Sequence, residues 1–156
     1  MSVKIPEYVA GHGLLKGKSV LITAAAGAGI GFAAAKRAVE EGCRSIVISD
    51  IHEGRLNDAV ERLKSETGLE QVAGKVCNVA VEDDVQALIG FAEEFCGGVD
   101  VLINNAGLGT TKSLIDMEDA EWDKVIDVTL NGTMRMTRQM MRTMKARGAG
   151  VIVNNA

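Results

Sequence analysis

Short, continuous apolar runs alternate with amphipathic stretches along almost the whole chain, and this alternation limits the fold more than any other feature. Ser19–Thr23, Ser45–Ser49, Gln71–Val76, Val99–Ile103 and Val151–Asn154 are strand-like. Between them, Gly29–Gly42, Glu53–Thr67, Val81–Phe95 and Glu118 to about Arg147 carry apolar residues at helical spacing. In the second of these, Leu56, Ala59, Val60 and Leu63 share one face, and Gly68 ends the helix. Strands that follow one another through helical crossovers must lie parallel, and those crossovers are right-handed. The strands show no in–out alternation, as expected of strands covered by helices on both faces. The pattern predicts an α/β doubly wound parallel sheet of order 3-2-1-4-5, in one dinucleotide-binding unit over residues 1–156, with residues 1–17 as a lead-in arm.

Composition narrows the partners. The chain has 156 residues and a formal net charge of −4, with no basic run, so nucleic acid is not expected. No apolar run approaches membrane-spanning length, and Met1–Gly13 lacks a secretory apolar stretch, which predicts a cytoplasmic protein. Aromatic residues make up only 3%, leaving aliphatic residues and methionine to fill the core. Cys43, Cys77 and Cys96 form no C-x-x-C pair and read as reduced, mostly buried thiols, with no metal site expected.

The chemistry-bearing segment is Thr23-Ala24-Ala25-Ala26-Gly27-Ala28-Gly29-Ile30-Gly31, set between the first strand and the first helix. Glycines there allow a tight turn and bring backbone N–H groups at the helix start to a pyrophosphate. Asp50 lies nineteen residues beyond Gly31, at the end of the second strand. A carboxylate at that place accepts hydrogen bonds from the adenosine ribose and repels a 2′-phosphate, so NAD is expected over NADP. His52 and Arg55 stand close enough in sequence to weaken that preference. A glycine-rich turn that binds nothing is the alternative for the loop, and a solvated loop aspartate the alternative for Asp50.

The glycine loop, Asp50, Asn104-Asn105-Ala106-Gly107 after the fourth strand, and Trp122 in the next helix resemble the short-chain dehydrogenase/reductase family in order and spacing. The resemblance covers residues 14–156 and implies a Rossmann fold. Gly11-His12-Gly13-Leu14-Leu15, the stretch Ile22–Gly27 and Ser49-Asp50 look most like the branch acting on intermediates of steroid ring degradation, near the ketoacyl-thioester reductases. The resemblance implies hydride transfer between a nicotinamide and a secondary alcohol or ketone on a hydrophobic substrate. It places Gly27, Gly29, Ile30 and Gly31 at the pyrophosphate, with Thr23 opening the loop, and Asp50 at the ribose. Asn78 and Val79 fall beside the adenine, and Asn105, Ala106 and Gly107 at the nicotinamide-side ribose. It also implies a homodimer or homotetramer, with the methionine-rich helix (Met134, Met136, Met140, Met141, Met144) facing a partner. Packing of those methionines inside the chain is the alternative.

The departures from the family pattern are specific. Ala24 follows Thr23 where the family has glycine, and the loop is one residue longer. Flexibility at Gly27 and Ala28 is expected to absorb the extra residue. Asn78 replaces an aspartate. Thr129 occupies the place of the family's catalytic asparagine, so either Asn131 serves, the proton relay differs, or the site is weakened. The family's Ser, Tyr and Lys are not found: the only tyrosine is Tyr8, followed four residues later by His12. An apolar last strand would leave a bare sheet edge, so the residues are expected to be the N-terminal part of a longer enzyme. The rival expectation is a catalytically silent dinucleotide-binding module or fragment.

Overall fold

The computed structural model describes residues 6–155. Five parallel strands, β1 (Ser19–Ile22), β2 (Ser45–Asp50), β3 (Val72–Val76), β4 (Val101–Asn104) and β5 (Val151–Asn154), form one sheet in the order β3-β2-β1-β4-β5. The helices are α1 (Ile30–Glu40), α2 (Glu53–Thr67), α3 (Glu82–Cys96), α4 (Asp119–Ile126) and α5 (Gly132–Arg147). The doubly wound sheet and its order are those expected from the alternation of segments.

Side chains of a strand alternate between faces, and the core divides accordingly. Val20, Ile22, Ile46 and Ile48 pack with Phe32, Ala35 and Ala38 of α1 and Leu56, Ala59 and Leu63 of α2. Leu21, Val47 and Leu102 pack on the other face with Val85, Leu88 and Ala92 of α3 and Met136, Met140 and Met144 of α5. The methionines thus split: those three are buried, while Met134 and Met141 are exposed on the outer side of α5. All three cysteines are free and buried. Burial pushes the Cys43 thiol up to about 11 and the Cys77 thiol up to about 12.

One local difference from the sequence reading bears on the site. The region Glu118 to Arg147 is not one continuous α-helix. A π-helical turn over Asp127–Asn131 separates α4 from α5. The Thr133 hydroxyl donates to the Thr129 carbonyl at 2.8 Å, and the Thr129 side chain is tied to another loop, so the turn is widened by side chains competing for backbone groups. The lead-in arm is anchored over its described part; residues 1–5 lie outside the described residues. The buried Glu41 carboxylate accepts from the backbone N–H groups of His12 and Leu14, each at 3.0 Å, and pairs with Arg37. These bonds, the Leu14 N–H foremost, hold its carboxyl down at about 2.

Candidate dinucleotide site

The site lies where β1 and β4 end, beside the start of α1. Asp50, at the end of β2, faces the same space. Parallel strands bring all their C-terminal ends to one edge, and the sheet order reverses between β1 and β4, leaving a crevice there. A cavity of about 440 Å³ is lined by Ala24, Gly27, Gly29, Ile30, Gly31, Asp50, Arg55, Asn105, Gly107 and Asn155. An adjoining cavity of about 310 Å³ shares Ala24, Asp50 and Gly107 and adds Val79, Ala106 and Leu108, among others. Of the residues singled out in the sequence, Gly27, Gly29, Ile30, Gly31, Asp50, Val79, Asn105, Ala106 and Gly107 converge on these two spaces.

Gly31 is where a side chain is sterically impossible. A Cβ there would sit 2.5 Å from the Ala24 carbonyl oxygen, 2.6 Å from Asn105 Nδ2 and 2.9 Å from Ala25 Cα. That contact lets α1 approach the sheet end-on and exposes its first N–H groups to the cavity. The residue before α1 is Gly29, with no side-chain cap, and the first turn has no acidic residue. Its unpaired N–H groups and dipole are left for an anion from outside the chain.

The extra loop residue is absorbed differently from the sequence expectation. Ala24 takes φ +52°, the only positive φ outside glycine among the described residues, whereas Gly27 and Gly29 do not use that region. Ala24 stands where the family pattern has glycine, and an alanine in this conformation costs about 1–2 kcal/mol. Its neighbours hold it. The Asn105 side-chain NH2 donates to the carbonyls of Thr23 (3.2 Å) and Ala24 (3.1 Å), and the Ala25 N–H donates to Ser49 O at 3.0 Å.

Thr23 is buried beneath the cavity. Its Oγ1 accepts from the backbone N–H groups of Asn105 and Ala106, both at 2.9 Å, and so binds the ends of β1 and β4 together. Asp50 is largely buried; its Oδ1 accepts from the His52 N–H at 3.1 Å, and Arg55 Nη2 lies 3.5 Å from the same oxygen. Oδ2 makes no intramolecular hydrogen bond among the described residues.

Besides Thr23, three singled-out site residues line neither cavity. Asn78 closes a local turn, its Oδ1 accepting from the Ala80 N–H at 3.0 Å. Thr129 reaches the loop after β4 instead: its hydroxyl accepts from the Leu108 N–H at 3.0 Å and donates to Leu108 O at 3.3 Å. Asn131 turns elsewhere, donating to Asp127 Oδ1 at 3.2 Å, which Arg135 also binds. Tyr8, the only tyrosine, hydrogen-bonds Glu40 near the end of α1, far along the helix from the glycine loop.

Two residues near the loop were missed in the sequence. Arg62 of α2 donates to the Gly27 carbonyl at 3.3 Å, with its guanidinium 3.6 Å over the Phe32 ring. Asn155 faces the cavity beside Asn105. A signal for Asn155 was present: Leu-Ile-Asn-Asn-Ala at 102–106 is echoed by Ile-Val-Asn-Asn-Ala at 152–156.

Comparison with known proteins agrees with this fold. The sequence pattern of the short chain dehydrogenase family matches residues 18–156. The chain therefore belongs to that family. Among its relatives is a (5R,7aS)-5-hydroxy-7a-methyl-1-oxo-2,3,5,6,7,7a-hexahydro-1H-indene-carboxyl-CoA reductase of Mycobacterium tuberculosis. It is 50% identical over 152 residues, covering 97% of this chain and 57% of the relative. A short chain dehydrogenase structure from Mycobacterium smegmatis superposes with a TM-score of 0.89 at 50% identity, over 98% of this chain and 62% of that one. A variant of actinorhodin polyketide ketoreductase solved with NADPH superposes with a TM-score of 0.82 at 33% identity, over 88% of this chain and 52% of that one. The chain thus spans between half and two thirds of the length of these relatives. Among the described residues no helix is long and apolar enough to cross a membrane.

Proposed function

We propose that these residues form the dinucleotide-binding part of a nicotinamide-dependent oxidoreductase that interconverts a secondary alcohol and a ketone on a hydrophobic substrate. The observation that carries this reading is the cavity at the ends of β1 and β4, where an acid-free helix start, Gly31 and Asp50 meet. The cradle at Gly31, which any Cβ would fill, fits a pyrophosphate brought close to backbone. A bound nicotinamide would supply the hydride acceptor or donor. Gly27, Gly29, Ile30 and Gly31 would hold the pyrophosphate, Asp50 Oδ2 the adenosine ribose hydroxyls, and Val79 the adenine edge. Asn105, Ala106 and Gly107 would close over the second ribose. Thr23 acts from below by fixing the Asn105–Ala106 backbone. Thr129 holds the Leu108 backbone with its hydroxyl, and the Asn131 amide is engaged with Asp127; we assign both to shaping the turn beside the site.

NAD is favoured over NADP, because the Asp50 carboxylate would repel a 2′-phosphate. The competing observation is Arg55, poised beside Asp50, together with the NADPH in the polyketide ketoreductase. The similarity to the mycobacterial CoA-ester reductase points to a ring alcohol or ketone carried as an acyl thioester, steroid-derived in kind. We place the protein in the cytoplasm, where three free buried thiols stay reduced. The exposed Leu130 of the π-helical turn and Met134 and Met141 of α5 are where we place a second copy of the chain. Thr129 favours one other reading, a silent dinucleotide-binding module, since it stands in the place of the family's catalytic asparagine and its hydroxyl is engaged with Leu108.

Assay of the full-length protein with a panel of ring-ketone acyl-CoA thioesters, following NADH and NADPH consumption, separates the two. Turnover with NADH preferred is the expected result. Tight dinucleotide binding with no turnover across the panel would replace the enzyme reading by the silent module.

A further inference from the structure

The apolar strands β4 and β5 end in the same words, and they are paired in register. Asn104 lies opposite Asn154, and the Asn155 N–H continues the ladder by donating to Asn104 O at 2.9 Å. Alternation sends the first asparagine of each pair to one face and the second to the other. On the α5 face, Asn104 Nδ2 donates to Asn154 Oδ1 at 2.9 Å and to Thr137 Oγ1 at 3.0 Å. On the opposite face the direction reverses: Asn155 Nδ2 donates to Asn105 Oδ1 at 2.9 Å.

That second bond acts with the two carbonyls of the glycine loop in fixing which way round the Asn105 carboxamide sits. With Oδ1 turned to Asn155, its NH2 faces the two carbonyls of Thr23 and Ala24. Rotated by half a turn, it would set an oxygen against those two carbonyls and an NH2 against the Asn155 NH2. A side-chain amide has two donors and one acceptor atom of distinct geometry, so its partners fix its orientation. The loop residue so held is Ala24, the one in the left-handed region.

We propose that Asn155 is a positioning residue for the dinucleotide loop, orienting the Asn105 amide that clamps Thr23 and Ala24 and so presetting the turn before Gly31. The inference rests on the dinucleotide reading only for its consequence in binding; the effect on the loop itself does not need a ligand.

The test uses the full-length protein with Asn155→Ala and Asn155→Asp. Hydrogen exchange of ligand-free protein reads the loop, and calorimetric titration with ADP and with NADH reads the site. Asn155→Ala is expected to speed exchange within residues 23–31 and to weaken ADP and NADH alike by about three- to tenfold, the span of one hydrogen bond. Asn155→Asp, nearly the same size, is expected to do more harm than Ala, because its carboxylate faces Asn105 Oδ1 and favours the rotated amide. Unchanged exchange in both variants overturns the proposal. So does faster exchange spread over β2 and α2 as well, or a loss confined to NADH with ADP unaffected. Faster exchange in the loop of a protein that binds neither ADP nor NADH would leave the positioning role standing and remove the dinucleotide reading.

Discussion

Helix α1 begins behind Gly29 with no acidic residue in its first turn, whereas α3 begins with Glu82, Asp83 and Asp84. Both starts follow a strand at the same edge of the sheet, and both carry the same partial positive charge. In α3 the chain supplies the compensation itself. Asp84 Oδ2 accepts from the Asn78 N–H at 2.9 Å, and Glu82 binds Gln139 and Arg138. Acids also stand in the first turns of α2 and α4. In α1 nothing compensates, and the space in front of it is a cavity. A helix start that the chain has neutralised is structural; one left bare, beside a glycine that no side chain can replace, is the one we propose is kept for a ligand. The difference lies in a handful of residues, so it can be broken from either side.

The largest effect is expected from Gly31→Val. Its Cβ would drive into the Ala24 carbonyl and the Ala25 Cα, backbone atoms that cannot step aside. Loss of more than a hundredfold in NADH affinity is expected, with destabilisation of about 1–3 kcal/mol, measured by calorimetry and denaturant unfolding. Next comes Ile30→Glu, which gives α1 the acid that α3 has. Ile30 is 68% exposed, so the fold should accept it. Affinity for NADH is expected to fall about tenfold or more, while stability holds or rises by about 0.3–1 kcal/mol. Equal affinity would mean that the helix start is not where the anion sits.

The reciprocal change, Glu82→Gln, should lower the melting temperature and leave NADH affinity unchanged. Glu82 is held below its ordinary range, chiefly by its bond to Gln139, and Glu41 is held at about 2 against an ordinary 4.5, chiefly by the Leu14 N–H. A carboxyl lowered by folding stabilises above its unfolded pKa, and the benefit disappears as pH falls through the folded one. Melting temperature should therefore fall between about pH 4.5 and pH 2, less steeply in Glu82→Gln than in the parent. The smallest effect is expected from Ala24→Gly. Relief of the left-handed alanine is offset by a more flexible unfolded chain, for a net gain of up to about 1 kcal/mol, read from denaturant midpoints.

The sheet was legible in the sequence because continuous apolar strands joined by helical crossovers leave few alternatives, and β3-β2-β1-β4-β5 follows from them. The cavity was legible for the same reason: the glycine loop, Asp50 and the Asn-Asn-Ala-Gly turn must all come to the ends of parallel strands. What escaped depends on which side chain a neighbouring segment captures. Asn78 is taken by its own turn through Ala80, and Thr129 by Leu108, twenty-one residues away. Helical spacing over Glu118–Arg147 carries no mark of the widened turn at Asp127–Asn131. The strain fell on Ala24 rather than Gly27 because Asn105 and Ser49 hold the chain on either side of it, a fact of strand register and not of loop composition. The methionines of α5 divide by face, which spacing alone allows in either direction.

The central claim is that the bare start of α1 receives the pyrophosphate of a nicotinamide dinucleotide. Titration of the protein with NADH, followed by nicotinamide fluorescence and competed with ADP, tests it most directly. Saturable one-to-one binding that ADP displaces, and that Ile30→Glu weakens, is the expected result. A folded protein on which NADH fluorescence never changes, or on which binding is indifferent to both ADP and Ile30→Glu, would contradict it.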